Sequence, residues 1–135
     1  MTDTDELEVV EFTIPGTAIP QGSKTVFNGR AVEANKKLRP WRKVVTAAAV
    51  EALAGRPGFD TAVTAIIDFY LPRPRTVLRI RPTVKPDLDK LARGIGDGLT
   101  DSGLIRDDAL IVCLSAAKWY ADDAPYTRVK LRRLA

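Results

Sequence analysis

Hydrophobic and polar positions along this chain follow two periods, one typical of strands and one typical of helices. Apolar residues at helical spacing predict two helices, which begin near Pro40 and near Asp87. The Asn28–Gly29 dipeptide between two short apolar runs favours a tight hairpin. The predicted strands cover 7–14, 62–71, 109–120 and 126–134, the hairpin strands 25–27 and 31–32, and the helices 40–55 and 87–100. This order predicts an α/β (α+β) fold, a single domain with a mixed β-sheet and two main helices packed on it.

Two of the predicted strands have different polarity. The segment 109–120 is almost unbrokenly apolar, which predicts an interior strand covered on both faces. We expect Cys113, the only cysteine of the chain, to be a buried thiol in a reducing compartment. The segment 126–134 alternates apolar and basic residues and predicts a more exposed strand.

The chain has 135 residues, a length that fits one domain. Its charge is distributed unevenly along the sequence. Residues 1–12 carry five acids and no base, and we expect 1–6 to form a flexible acidic tail. The remaining 123 residues then hold 21 basic against 12 acidic residues. This excess fits a polyanionic partner such as nucleic acid, although a basic surface that only aids solubility has the same composition.

Several classes of protein are excluded by what the sequence lacks. No run approaches the roughly 20 apolar residues of a membrane helix, and the acidic first residues argue against a signal peptide. We therefore expect a cytoplasmic protein with no membrane contact. The absence of histidine excludes Ser-His and Cys-His hydrolases, and the absence of a GxxxxGK[ST] motif disfavours a nucleotide cofactor.

Four carboxylates flank the second predicted helix, namely Asp87, Asp89, Asp107 and Asp108. If the following loop folds back, all four approach one point, where their mutual repulsion favours a bound cation. Without histidine the ligands are oxygens, which favours Mg²⁺, with Mn²⁺ as a second choice. The alternative is that Asp87 only caps the helix, Asp89 only stabilises its first turn, and the other two lie in a solvated turn.

Three glycines, Gly94, Gly96 and Gly98, lie inside the same predicted helix. Each costs about 0.8–1 kcal/mol relative to alanine, so we expect a compensating contact. Close approach by another backbone, a subunit or a nucleic-acid strand is one explanation. Tight packing of the helix on the sheet is the other.

The spacing of these residues resembles the RusA-type Holliday junction resolvases, small endodeoxyribonucleases common in bacteriophages and prophages. The resemblance extends over most of 9–134 and is most specific between 86 and 118. It is carried by Pro86–Leu91, Asp97–Leu99, Gly103–Ala109 and Lys118, and more weakly by Pro15–Lys24.

The resemblance implies that Asp87, Asp89 and Asp108 are metal-binding catalytic acids, with Asp107 in support. Lys118 matches a recurrent lysine of the family. Arg93 stands where the family has a catalytic lysine, and arginine keeps the positive charge without acting as a proton donor near neutral pH. Lys90 and Leu110 also depart from the family pattern, in place of asparagine and glutamine.

The leading hypothesis is a Mg²⁺-dependent endodeoxyribonuclease that resolves four-way or other branched DNA, associated with the nucleoid of a bacterial host. The resemblance implies a homodimer with one active site per subunit. Phosphate contacts are expected from a proline-rich loop without acids, from the start of the first helix and from two further lysines: Arg73, Arg75, Arg79, Arg81, Lys85, Arg42, Lys43, Lys24 and Lys90. The alternatives are a non-catalytic structure-specific DNA-binding protein and a structural or interaction domain.

Overall fold

The predicted order of strands and helices is present in a computed structural model. It describes residues 6–22 and 36–134 with their side chains, and 24–27 and 30–33 as backbone. The α+β fold class is confirmed. The elements are β1 (Val9–Pro15), β2 (Lys24–Phe27), β3 (Arg30–Glu33), α1 (Leu38–Leu53), β4 (Val63–Leu71), α2 (Leu88–Ser102), β5 (Ile111–Tyr120) and β6 (Tyr126–Arg133).

The main sheet is mixed and has the strand order β1-β6-β4-β5. Strands β4 and β5 are parallel and are connected through α2, whereas β6 is antiparallel to both β1 and β4. Alternate residues of β4 face the helices and are buried: Val63, Ala65, Ile67, Phe69 and Leu71. Strands β2 and β3 form a separate antiparallel hairpin, as predicted, with Phe27 opposite Arg30.

Both helices pack on one face of the main sheet and against each other. The buried side of α1 includes Trp41 and Val45, and that of α2 includes Leu91, Ile95 and Leu99. A Cβ placed on Gly98 would come within 2.9 Å of the Val45 Cβ, so this glycine allows the two helices to approach closely. No helix in the described part of the chain is long and apolar enough to cross a membrane.

The prediction that 109–120 is an interior strand covered on both faces is wrong. Its first residues form a 3₁₀ turn, Asp108–Leu110, and β5 then lies at the edge of the sheet. Val112 is 63% and Leu114 52% exposed, and Cys113 is an exposed thiol, so the prediction of a buried thiol is also wrong. An apolar run indicates that its side chains favour burial, but it does not indicate which strands will pair with it.

The alternating strand β6 occupies the interior position instead. Thr127, Val129 and Leu131 are buried on its helix-facing side, and the residues between them lie on the open face of the sheet. Ahead of β1, Leu7 is buried and Glu6 forms an ion pair with Arg133. The rest of the predicted acidic tail, residues 1–5, lies outside the described residues.

Candidate active site

The N-terminal end of α2 carries the first of the predicted acids. Asp87 is the N-cap residue, with extended backbone angles of φ −72° and ψ 139°, and its side chain makes no capping hydrogen bond. Its carboxylate is therefore not committed to the helix. It lines a surface groove of about 580 Å³ together with Arg81 and Lys118.

Lys118 connects this groove to the edge strand β5. Its Nζ donates hydrogen bonds of 2.9 Å to the backbone carbonyls of Val84 and Pro86, which lie just before α2. An ammonium group has three N–H donors, so one remains for another acceptor. Lys118 thus fixes the start of α2 against β5 and contributes a positive charge to the groove.

Asp89 lies in the first turn of α2, where the helix dipole favours a negative charge. It lines a different groove, of about 420 Å³, whose other walls include Leu114 and Ala116 of β5. Asp87 and Asp89 are only two residues apart, yet they face different grooves. Neither of them is among the charges that shift the pKa of Asp108, and their convergence with Asp107 and Asp108 stays a prediction.

A group of three carboxylates, which we call the acidic group, lies farther along α2 and consists of Asp97, Asp107 and Asp108. The 3₁₀ turn brings Asp108 onto α2, where a Cβ on Gly96 would lie 3.6 Å from the Asp108 Cβ and 3.7 Å from its Oδ2. Partial burial raises the pKa of Asp108, and so do a hydrogen bond with Asp107 and the negative charges of Asp107 and Asp97. The three groups therefore repel one another in the absence of a cation.

Asp97 was not among the predicted metal ligands. Its signal in the sequence was a polar stripe along α2, in which Asp89, Arg93 and Asp97 recur every four residues. Among the described residues, no three or more His, Cys, Asp or Glu side chains are arranged to enclose a metal ion by themselves.

The glycines of α2 each have a different neighbour. Gly98 faces α1 and Gly96 faces Asp108, whereas a Cβ on Gly94 would lie 3.6 Å from the backbone carbonyl of Ile19. The segment after β1 runs alongside this part of α2, where the Gln21 amide donates a 3.0 Å hydrogen bond to the Lys90 carbonyl. The expected compensating contacts are thus with another helix, a loop and an acid, and not with the sheet.

The basic segment 72–86, which we call the arginine loop, follows β4. Arg73 was predicted to contact phosphate, but its Nη1 donates a 2.7 Å hydrogen bond to the Arg79 carbonyl and its Cζ lies 4.4 Å from the centre of the Tyr120 ring. The Arg79 Nε donates to the Tyr120 hydroxyl at 2.9 Å, and the Arg81 Cζ lies 5.2 Å from the centre of the Trp119 ring. Aromatic side chains at the end of β5 thus hold three arginines of the loop in place.

The remaining predicted cations are dispersed. Arg75, Lys85 and Arg93 are exposed. Arg42 on α1 forms a two-pronged pair with Asp101, with a 2.6 Å hydrogen bond from Nε, and this contact raises the pKa of Arg42. Lys43 is exposed beside Arg42, and the Lys24 side chain lies outside the described residues.

The chain is similar to known proteins over most of its length. The chain is 26% identical to the uncharacterized protein YqaN of Bacillus subtilis (strain 168), over an alignment of 148 residues that covers 96% of this chain and 99% of YqaN. The family model described as endodeoxyribonuclease RusA matches residues 15–132, which include both grooves, the arginine loop and the acidic group. The chain therefore belongs to the RusA endodeoxyribonuclease family.

Proposed function

We propose that the protein is a Mg²⁺-dependent endodeoxyribonuclease that cuts four-way DNA junctions, acting as a homodimer in the cytoplasm of a bacterial cell. The observation that carries this proposal is the family match over 15–132, a range that includes α2, the turn before β5 and the acidic group. The basic excess of the chain supports a polyanionic substrate.

The acidic group fits magnesium in its chemistry. Its donors are hard carboxylate oxygens, and the raised pKa of Asp108 reflects a local excess of negative charge that a divalent cation offsets. Magnesium in proteins is usually held by one or two carboxylates and completes its shell with waters and substrate phosphates. Asp108 and Asp107 would hold the ion, with Asp97 beside them, and Asp87 and Asp89 face the DNA from the start of α2.

Hydrolysis adds the oxygen of a water to phosphorus and breaks the bond from phosphorus to the 3′ oxygen. A magnesium ion held by Asp107 and Asp108 would supply Lewis-acid activation of that water and would offset charge on the leaving 3′ oxygen, which takes up the proton of the water. Arg93 donates to the phosphoryl oxygens as charge develops on them, and Lys118 does so with its third N–H. Arg75 and Lys85 contact backbone phosphates, which position the strand without reading its sequence.

The exposed edge of the sheet supports a homodimer. No strand among the described residues pairs with the outer edge of β5, and Val112, Leu114 and their neighbours form an apolar surface there. The first seven residues of β5, 111–117, contain neither proline nor charge, and such an unpaired apolar edge is a template for another strand, which a second copy would supply. Because the Asp89 groove is bounded by Leu114, this contact would place the second copy next to Asp89.

The direct test is cleavage of a labelled synthetic four-way junction beside a linear duplex of the same arm sequence, with MgCl₂ or with EDTA. We expect paired nicks in opposite strands of the junction, only with MgCl₂, and an uncut duplex. Tight, salt-sensitive binding without nicking at any Mg²⁺ or Mn²⁺ concentration would instead identify a non-catalytic DNA-binding protein.

The dimer has a separate test. Sedimentation velocity of the wild-type chain should give a dimer, and Val112→Glu should give a monomer, because it places a charge on the edge of β5. Val50→Glu is the matched control, since Val50 is also half exposed but lies on α1. Equal sedimentation of both variants and the wild type would exclude this edge as the interface.

A further inference from the structure

Two large apolar side chains lie almost entirely in solvent at the tip of the arginine loop. Leu78 is 94% and Ile80 82% exposed, whereas the next most exposed large apolar side chain among the described residues, Val112, reaches 63%. Single apolar side chains at a surface are ordinary. A pair this exposed on one projecting segment leaves its apolar surface available to a partner.

The tip is held in this shape from inside. The Arg73 guanidinium donates from Nη1 to the Arg79 carbonyl at 2.7 Å and from Nη2 to the Ile80 carbonyl at 3.4 Å. The Val77 amide donates to the Pro74 carbonyl at 3.1 Å, which closes a turn just before Leu78. The two apolar side chains are therefore presented on a braced turn.

The charges around the tip select the kind of partner. Arg79 lies between Leu78 and Ile80, Arg75 and Arg81 lie on either side, and residues 72–86 contain no acid. Arg81 also lines the groove that holds Asp87 and Lys118, so the tip is directly connected to the candidate active site. Apolar groups set among arginines fit a molecule with apolar faces inside an anionic backbone, which describes DNA bases and phosphates.

We propose that Leu78 and Ile80 form an apolar wedge that enters the base stack of DNA at the branch point while the neighbouring arginines hold the phosphates. This inference rests on the proposed function, because it assigns a role at the same substrate. Proteins that unstack DNA commonly insert Leu, Ile or Phe between base steps. The energetic cost is lowest where pairing is already interrupted, so a wedge favours branched over linear DNA.

The test uses a four-way junction with 2-aminopurine at the base pairs next to the crossover, in EDTA so that no cleavage occurs. Wild-type protein should raise the fluorescence on the junction and not on a linear duplex with the same label. Leu78→Ser/Ile80→Ser should abolish the rise and weaken junction binding by about tenfold, because the polar side chains would no longer insert between base steps. Duplex affinity should stay within about twofold, because it depends on phosphate contacts.

Val50→Ser is the matched control, since it removes a half-exposed apolar side chain on α1, and it should behave as the wild type. Circular dichroism should give the same melting curve for the double variant as for the control, because Leu78 and Ile80 contribute nothing to the core. A double variant that retains both the fluorescence rise and the junction affinity would overturn the wedge. The wedge would also be overturned if the wild type and Val50→Ser bound vesicles of anionic phospholipid and the double variant did not. The tip would then be a membrane-binding segment.

The two proposals fail in different ways. Wild-type protein that raises the fluorescence but never nicks the junction with MgCl₂ would reject the nuclease and retain the wedge. Wild-type protein that nicks the junction without any rise would reject the wedge and retain the nuclease.

Discussion

The acidic group lies beside Gly96 in the middle of α2, whereas the arginine loop precedes the helix in the chain, and the two regions use their charges in opposite ways. In the acidic group, the negative charges of Asp97 and Asp107 act on Asp108, and the Arg42 Nη1 lies 3.9 Å from an oxygen of Asp97. In the arginine loop, guanidinium groups bind backbone carbonyls and aromatic rings. No arginine of the loop takes part in the ion pairs of the described residues.

The difference shows that neither region neutralises the other, although the chain has enough charges of both signs to do so. Like charges in the acidic group raise the free energy of the folded protein, and a bound cation would lower it. The guanidinium groups of the arginine loop would bind an anion that reaches several of them at once, as the phosphates of the proposed DNA substrate would.

The largest effect is expected from removing the charge of Asp108. Asp108→Asn should lower the rate of junction cleavage by about a thousandfold or more, because a ligand of the ion is lost. Junction affinity in EDTA should stay the same or rise, because repulsion of the phosphates falls. Gel-based cleavage and fluorescence anisotropy measure the two quantities, with Asp123→Asn, an exposed acid far from α2 in sequence, as the control. Full cleavage by Asp108→Asn would remove the acidic group from the mechanism.

A smaller effect should follow from filling the space above Gly96. Gly96→Ala should cleave at nearly the wild-type rate, because a Cβ there makes an ordinary contact of 3.6 Å with Asp108. Gly96→Val adds two methyl groups toward Asp108 and should lower the rate by about tenfold, since small displacements of a reacting group are costly. Equal rates for the two variants would show that the position of Asp108 does not depend on this glycine.

The arginine loop should respond in affinity instead. Arg75→Gln should weaken binding by about three- to tenfold at moderate salt and reduce the slope of log affinity against log salt by about one, as expected for a lost phosphate contact. Arg73→Lys keeps the charge but loses the guanidinium hydrogen bonds that brace the tip. The slope of log affinity against log salt should therefore stay the same, while the fluorescence of 2-aminopurine at the crossover should fall. A slope change for Arg73→Lys equal to that for Arg75→Gln would mean that Arg73 itself contacts phosphate.

The smallest effect concerns stability without DNA. The raised pKa of Asp108 means that its ionised form destabilises the folded state at neutral pH and that protonation relieves this cost as the pH falls through the folded pKa. In EDTA, Asp108→Asn should therefore melt on the order of 1–2 °C above the wild type. Added MgCl₂ should raise the melting temperature of the wild type only. Equal melting curves for both proteins with and without MgCl₂ would argue against a cation at the acidic group.

The sequence predicted the positions of the helices and strands along the chain well, but it predicted the order of the strands in the sheet poorly. Periodicity located both helices and β4, because alternate apolar residues such as Ala65, Ile67 and Phe69 record which face is buried. It misplaced β5 and β6 in the sheet. The apolar strand lies at the edge and the alternating one lies inside, since pairing depends on contacts between residues far apart in the chain.

The candidate site shows the same division. The residues around α2 could be recognised in the sequence, and the N-cap position of Asp87 is confirmed. The choice of Asp97 as the neighbour of Asp108 could not be predicted, because it depends on how the 3₁₀ turn folds back onto Gly96. The hydrogen bond from Arg73 to the Arg79 carbonyl could not be predicted either. A basic residue in a loop looks the same in the sequence whether it binds a phosphate or the backbone of the loop.

The brace that Arg73 provides has a consequence for how this protein meets its substrate. A loop that becomes ordered only on contact loses conformational entropy at that moment, and its binding is weaker by that amount. Here the carbonyls of Arg79 and Ile80 are already engaged, so most of that loss has been met during folding. On association it is then the nucleic acid, and not the loop, that changes conformation. DNA that is already bent or open at the point of contact would therefore bind most readily.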